Sequence, residues 1–447
     1  MNPPIDPKIV KQAIDDMGLE SVGLASRREL NCMVNNIEAA SKKGFIRREM
    51  GVPCLEPPEI AVKAEIKALQ KGVGAKYPPF DGIPDLKKEI SLFVKNFLDQ
   101  DIDPVSCFPT VGSMQGCYMA MMCTSRRIKG KNKILFIDPG FPVNKIQARV
   151  LGLPFDSFDV YEYRGDKLGA KLESYLENGD VAALMYSNPN NPSWICFTEK
   201  ELSIIGQLAT RYDCIVLEDL AYFGMDFRTN YAIPGQPPFI PSVGQYTDNY
   251  ILLISSSKSF SLAGQRIGMT AVPNDLFNSK GNNLRQWFGT DNFGYAYIFG
   301  AMYALSSGVS HSNQFGLLGL LQAVNKGEYN FVEAVKEYGD RARAMKQFFT
   351  DNGFDIVYDM DDDQKIADGF YFTVSYPGFT GVELVEELLY YGISAISLTT
   401  TGSDRHEGLR ACVSLTGKER FPALQERLAQ FQEDHPPGSD YKIISKT

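Results

Sequence analysis

Apolar and polar positions follow two different periods through the middle of the chain. Four short runs are almost wholly apolar: KILFID at 133–138, VAALMYS at 181–187, CIVLED at 214–219 and YILLIS at 250–255. Runs of this length without a polar face predict strands buried on both sides, as in a parallel sheet covered by helices. Between them, TEKELSIIGQLATRYD at 198–213 has the helical period, with Thr198 as N-cap and Glu201 three residues on to complete a capping box. Strands and helices in alternation predict an α/β domain.

Past about residue 330 the pattern changes. Residues 328–353 read as one amphipathic helix ending at Gly353. GFYFTVSYP (369–377) follows as a strand, TGVELVEELLYYG (380–392) as a helix, ISAISL and LRACVSL as strands, and a last helix starts near Gly417. This is the pattern of a smaller α+β domain, joined by the mostly helical first 50 or so residues. The large domain is expected over 61–330, and the small one over 1–60 together with 331–447. The Pro/Gly-rich segment 230–249 reads as an exposed loop, and DMDDDQK at 359–365 as a solvated acidic turn.

Composition narrows the function classes. The 447 residues are 44% hydrophobic and 22% charged, ordinary for a soluble globular protein. A formal charge of −9 argues against a nucleic-acid partner. The start lacks a basic stretch followed by an apolar one, and the longest apolar runs are strand-length, so neither a signal peptide nor a membrane span is expected. Eight cysteines without a Cys-x-x-Cys, mostly in apolar surroundings, point to reduced thiols and a cytoplasmic location. The three histidines lie far apart, which argues against a metal site and against a Ser-His-Asp triad.

In open α/β sheets ligands bind at the carboxyl ends of the strands. Those ends carry Asn188, Asn190 and Asn191; Glu218, Asp219 and Tyr222; Ser255, Ser257 and Lys258; and Phe141 in PGFP. Each has a plain structural reading by itself: an Asp at a strand end serves as an N-cap, and a lysine after three serines as a solvated turn. Together they set an amide, a carboxylate, a phenol, hydroxyls, an amine and a ring on one rim. Two further features suit a phosphate. PTVGSMQGCYMAMM (109–122) is a Gly-containing turn that opens a helix, and Arg266 offers a bidentate charge. Neither a Walker A nor a Rossmann fingerprint occurs. Pyridoxal phosphate needs an amine, a carboxylate for its pyridinium nitrogen, a phosphate cradle and a stacking ring, and the chain has each.

SSSKSFSLAGQRIG is similar to the S-x-S-K-x-x-x-x-x-G-x-R-x-G of the fold-type I pyridoxal-phosphate enzymes, specifically the class I/II aminotransferases related to aspartate aminotransferase. NPNNP, followed about thirty residues later by EDLAY, resembles the N-P-x-N-P and D-x-x-Y of the same family. The resemblance covers about residues 50–415. It implies an α/β fold: a large domain with a mostly parallel seven-stranded sheet between helices, plus the smaller α+β domain. It also implies an aminotransferase that moves an amino group between an L-amino acid and a 2-oxo acid through a lysine aldimine, with pyridoxal 5′-phosphate as cofactor.

By the same resemblance Lys258 carries the cofactor and shuttles the proton, while Asp219 pairs with the pyridine nitrogen. Asn191 and Tyr222 bond the 3′-oxygen. Ser255, Ser257 and Arg266 bind the phosphate above the turn of Gly112, Ser113 and Met114, and Phe141 stacks on the ring. Tyr77 reaches the phosphate of a partner subunit, which implies a homodimer. Arg410, with Asn191 and the loop at Gly51, takes the substrate α-carboxylate. A lyase or decarboxylase, for example a carbon–sulfur lyase, is the alternative on the same fold. Two departures leave the substrate open: Trp194 stands where the family motif has glycine, and SLTTTGSDRHEG replaces the family's P-G-x-x-F segment.

Overall fold

A computed structural model describes residues 3–438 and 443–444. The chain forms two compact units, one of Leu55–Asn190 with Cys196–Val335, the other of Met1–Cys54, Asn191–Ile195 and Lys336–Thr447.

The larger unit is built on a seven-stranded sheet. Its strands are β1 (Cys107–Thr110), β2 (Lys133–Asp138), β3 (Phe155–Asp159), β4 (Val181–Ser187), β5 (Ile215–Leu220), β6 (Tyr250–Ser255) and β7 (Gly268–Ala271). In space they run β1-β7-β6-β5-β4-β2-β3. Neighbouring pairs from β6 through β3 are parallel, and β7 is antiparallel to both β6 and β1. Every residue of β4, β5 and β6 is buried, as their unbroken apolar runs require.

Helices α1 (Gly112–Thr124), α2 (Pro142–Val150) and α3 (Glu199–Arg211) connect and cover the strands. Met119 and Met121 of α1 share one core with Phe108, Ile134, Ala183, Ile215 and Leu253 of the sheet. Helix α3 starts as the sequence predicts. Thr198 Oγ1 accepts the Glu201 N–H at 3.3 Å, and the Glu201 carboxylate accepts the Thr198 N–H at 3.0 Å.

The smaller unit carries a four-stranded antiparallel sheet of β8 (Asp355–Ile356), β9 (Tyr371–Ser375), β10 (Ile396–Ser397) and β11 (Leu409–Cys412), in the order β10-β11-β9-β8. Helices α4 (Glu337–Asp351), α5 (Gly381–Tyr390) and α6 (Phe421–Asp434) accompany it. Near its start, Ile46–Arg47 pairs in parallel with Ile393–Ser394.

Three expectations change. The helix read over 328–353 is two helices, Phe331–Val335 and α4, interrupted at Lys336 where the chain passes from one unit to the other. The Pro/Gly-rich segment 230–249 is anchored as well as exposed: Ile240, Ser242 and Val243 are buried, because Ser242 and the Val243 N–H bond to Glu218. The acidic stretch 359–365 forms a small hairpin of Met360–Asp361 and Gln364–Lys365, with Asp361 fully buried. Among the described residues no helix is long and apolar enough to cross a membrane, and no cluster of His, Cys, Asp and Glu could hold a metal ion. All eight cysteines are free and six are buried.

Candidate active site

The parallel pairing of β4 and β5 sets Ser187 beside Asp219. Successive strand residues face opposite ways, so Glu218 and Asp219 serve opposite sides of the sheet. Glu218 is fully buried and accepts from Tyr186 Oη at 3.1 Å and Ser242 Oγ at 2.5 Å. Burial pushes its carboxyl up to about 7 even so.

Asp219, on the other side, is buried too. Burial pushes it up to about 7, opposed by the nearby charge of Lys258 and by the Ala221 N–H that it accepts. Its Oδ1 has no hydrogen-bond partner among the described residues. A buried carboxylate oxygen left unbonded is costly, so this is an acceptor awaiting a donor.

Lys258 follows β6 in a tight turn and is half-buried. Ser255 Oγ accepts the Ser257 N–H at 3.1 Å, and the Leu262 N–H closes on Ser256 O at 3.1 Å. Tyr222 is buried in the turn after β5, with its carbonyl accepting the Met225 N–H at 3.0 Å.

Gly268 pairs with Thr110 on one side and Ser255 on the other. A Cβ there would fall 2.8 Å from Ser113 N and 3.0 Å from Ile254 O, so only glycine lets β7 begin beneath the Gly112–Ser113–Met114 turn. Gly112 has φ +64, and a Cβ on it would lie 2.8 Å from Arg266 Nη2. The exposed Arg266 guanidinium is steadied by Nη1 donating to Ala263 O at 3.1 Å. A helix N-terminus and a guanidinium thus meet at one place, an arrangement that attracts an anion.

Phe141 is half-buried at the N-cap of α2 and lines a cavity together with Asn144, Ser187 and Asp219. Asn144 was not expected. It is buried, donates from Nδ2 to Met185 Sδ at 3.2 Å, and its Oδ1 has no partner among the described residues. Its place one helical turn after Phe141 was the available signal. Tyr77 is not gathered into this group; it stands 94% exposed on its loop.

The smaller unit brings together Asn191, Gly51 and Arg410. Arg410 lies on β11 opposite Thr373. Its Nη1 donates to Asn191 Oδ1 at 3.3 Å and its Nη2 to Glu49 O at 2.6 Å. Its guanidinium carbon sits 4.5 Å from the centre of the Tyr371 ring. A Cβ on Gly51 would fall 2.1 Å from the Tyr371 hydroxyl oxygen. Tyr371 is the second residue that sequence reading passed over; inside GFYFTVSYP it looks like any strand aromatic.

The larger unit's residues fit a phosphate-bearing pyridine. The buried Asp219 Oδ1 lacks a donor, an amine lies within its electrostatic reach, and the side-chain-free Gly112 adjoins a guanidinium.

The chain is similar to several known proteins. The chain is 29% identical over 261 residues to the aromatic-amino-acid aminotransferase 2 of Thermococcus litoralis, covering 57% of this chain and 62% of that protein. It is 26% identical over 408 residues to the LL-diaminopimelate aminotransferase of Natranaerobius thermophilus, covering 90% and 95%. The chain spans roughly half to three fifths of the length of several other curated relatives that it matches. The solved alanine aminotransferase from Pyrococcus furiosus superposes with a TM-score of 0.74 at 20% identity, over 91% of this chain and 96% of that one, which shows a shared fold. The family model described as aminotransferase class I and II matches residues 49–426, and the chain belongs to that family.

Proposed function

We propose that the protein is a pyridoxal 5′-phosphate-dependent aminotransferase acting between an L-amino acid and a 2-oxo acid. Enzymes of its family use this cofactor. The observation that carries the reading is the buried Asp219 carboxylate, with an unbonded Oδ1 and the charge of Lys258 nearby. Relatives named as aminotransferases favour transfer over the lyase or decarboxylase alternative.

When bound, pyridoxal phosphate supplies a carbonyl that condenses with amines and a ring that draws electrons from the bonds at Cα. The chain's residues do the rest. Lys258 would hold the cofactor through Nζ and, released when the substrate amine replaces it there, would take the proton from the substrate Cα as a general base. Asp219 Oδ1 would accept the ring N–H and keep that nitrogen protonated. Asn191 and Tyr222 would bond the ring oxygen, and Phe141 would cover the ring face. The N–H groups of Gly112, Ser113 and Met114, with Ser255, Ser257 and Arg266, would hold the phosphate. Arg410, Asn191 and the Gly51 loop take the α-carboxylate.

The reading extends to a homodimer in the cytoplasm. The 94% exposure of Tyr77 suits a residue that a second copy of the chain covers, and eight free cysteines suit a reducing compartment. Borohydride reduction of the cofactor-loaded protein, followed by peptide mapping, should place the cofactor mass on Lys258. Cofactor mass on another lysine, or on none, would overturn the assignment.

A further inference from the structure

Trp194 has φ +66, inside the left-handed region. A bulky aromatic residue adopts that conformation only where the surrounding packing holds it. Here the packing is close. The indole is 1% exposed and lies against Gly369, where a Cβ would fall 2.0 Å from the indole Cε2. It meets Tyr371 edge-on, with ring centres 6.2 Å apart and planes at 67°. That is within the favourable range for an edge-to-face pair.

Tyr371 is itself 2% exposed and presents its face to Arg410 at 4.5 Å. Its hydroxyl occupies the space that Gly51 leaves open. Arg410 is therefore gripped at two edges, by Asn191 and Glu49, and supported beneath by a ring. On the Trp194 side the indole packs edge-on against that ring and bears on its tilt. Arg410 is also buried, so a tilted ring would move a guanidinium that has little room to find another geometry.

We propose that Trp194 is a positioning residue for Arg410. By holding Tyr371 beneath the guanidinium it sets the plane in which Arg410 meets a carboxylate, and so the affinity for amino donor and 2-oxo acid. The proposal rests on the reading of Arg410 as the carboxylate-binding residue.

The test compares Trp194→Gly, Tyr371→Leu, Tyr371→Phe and Arg410→Lys in the cofactor-loaded protein. Readouts are KM and kcat for the amino donor and, independently of turnover, the Kd of 2-oxoglutarate by calorimetry. Trp194→Gly and Tyr371→Leu should each raise donor KM and 2-oxoglutarate Kd by about tenfold, with kcat changed less than about threefold. Tyr371→Phe keeps the ring face and should hold both constants within about threefold. Tyr371→Leu reads the same contact without touching the strained backbone at Trp194. If Arg410→Lys weakens both constants while Trp194→Gly and Tyr371→Leu leave them unchanged, the positioning role is overturned and the Arg410 reading stands. If Arg410→Lys also leaves them unchanged, the Arg410 reading itself fails.

Discussion

Arg266 and Gly112 are matched in space: the guanidinium Nη2 lies 2.8 Å from the point where a side chain on Gly112 would begin. Gly112 also sits at φ +64, where a Cβ strains the backbone. Gly112→Ala should therefore displace Arg266 from the start of α1. We expect the Kd for pyridoxal phosphate to rise at least about tenfold with little change in secondary structure. Fluorescence titration with the cofactor measures the first and circular dichroism the second; an unchanged Kd would remove Arg266 and this turn from the phosphate site.

Glu218 and Asp219 are both held up at about 7 by burial. In the unfolded chain they titrate as ordinary carboxyls near 4. Between those limits the folded protein holds protons that the unfolded chain has released, so stability is greatest at the acid end of this window. It should decline as pH rises toward about 7. Urea denaturation of the cofactor-free protein across pH 5 to 8 should show that decline. Glu218→Gln keeps the shape and an acceptor for Ser242 while removing one titration, so its decline should be shallower. A variant with the same pH slope would mean that Glu218 is ionised throughout.

Gly51 and Tyr371 are coupled through a single atom. A Cβ on Gly51 would fall 2.1 Å from the Tyr371 hydroxyl oxygen and 3.2 Å from the ring carbon that bears it. Gly51→Ala alone should lower the thermal midpoint by several degrees and raise donor KM. Adding Tyr371→Phe removes the clashing oxygen and should restore most of both. Additive effects in the double variant would show that the two residues act independently.

The chain's regular parts were legible because local rules govern them. Val181–Ser187 and Tyr250–Ser255 are buried on both faces, and a run without polar positions can be little else. Thr198 and Glu201 bond reciprocally, as their spacing requires. What stayed hidden depends on partners distant in sequence. The helical period runs on past Lys336, so the change of unit there leaves no local mark. Asp361 looked solvated by composition, yet the hairpin buries it. Tyr371 and Asn144 carry no motif; their interest lies in Arg410, 39 positions further along the chain, and in the cavity shared with Asp219.

The most direct measurement follows the nitrogen. The cofactor-loaded protein is given isotope-labelled L-amino acids one at a time, with 2-oxoglutarate or pyruvate as acceptor, and products are read by mass spectrometry. For at least one donor the label should appear in glutamate or alanine, with an equal amount of the donor's 2-oxo acid, and Lys258→Ala should abolish it. Label released as ammonia, or transfer that persists in Lys258→Ala, would contradict the account.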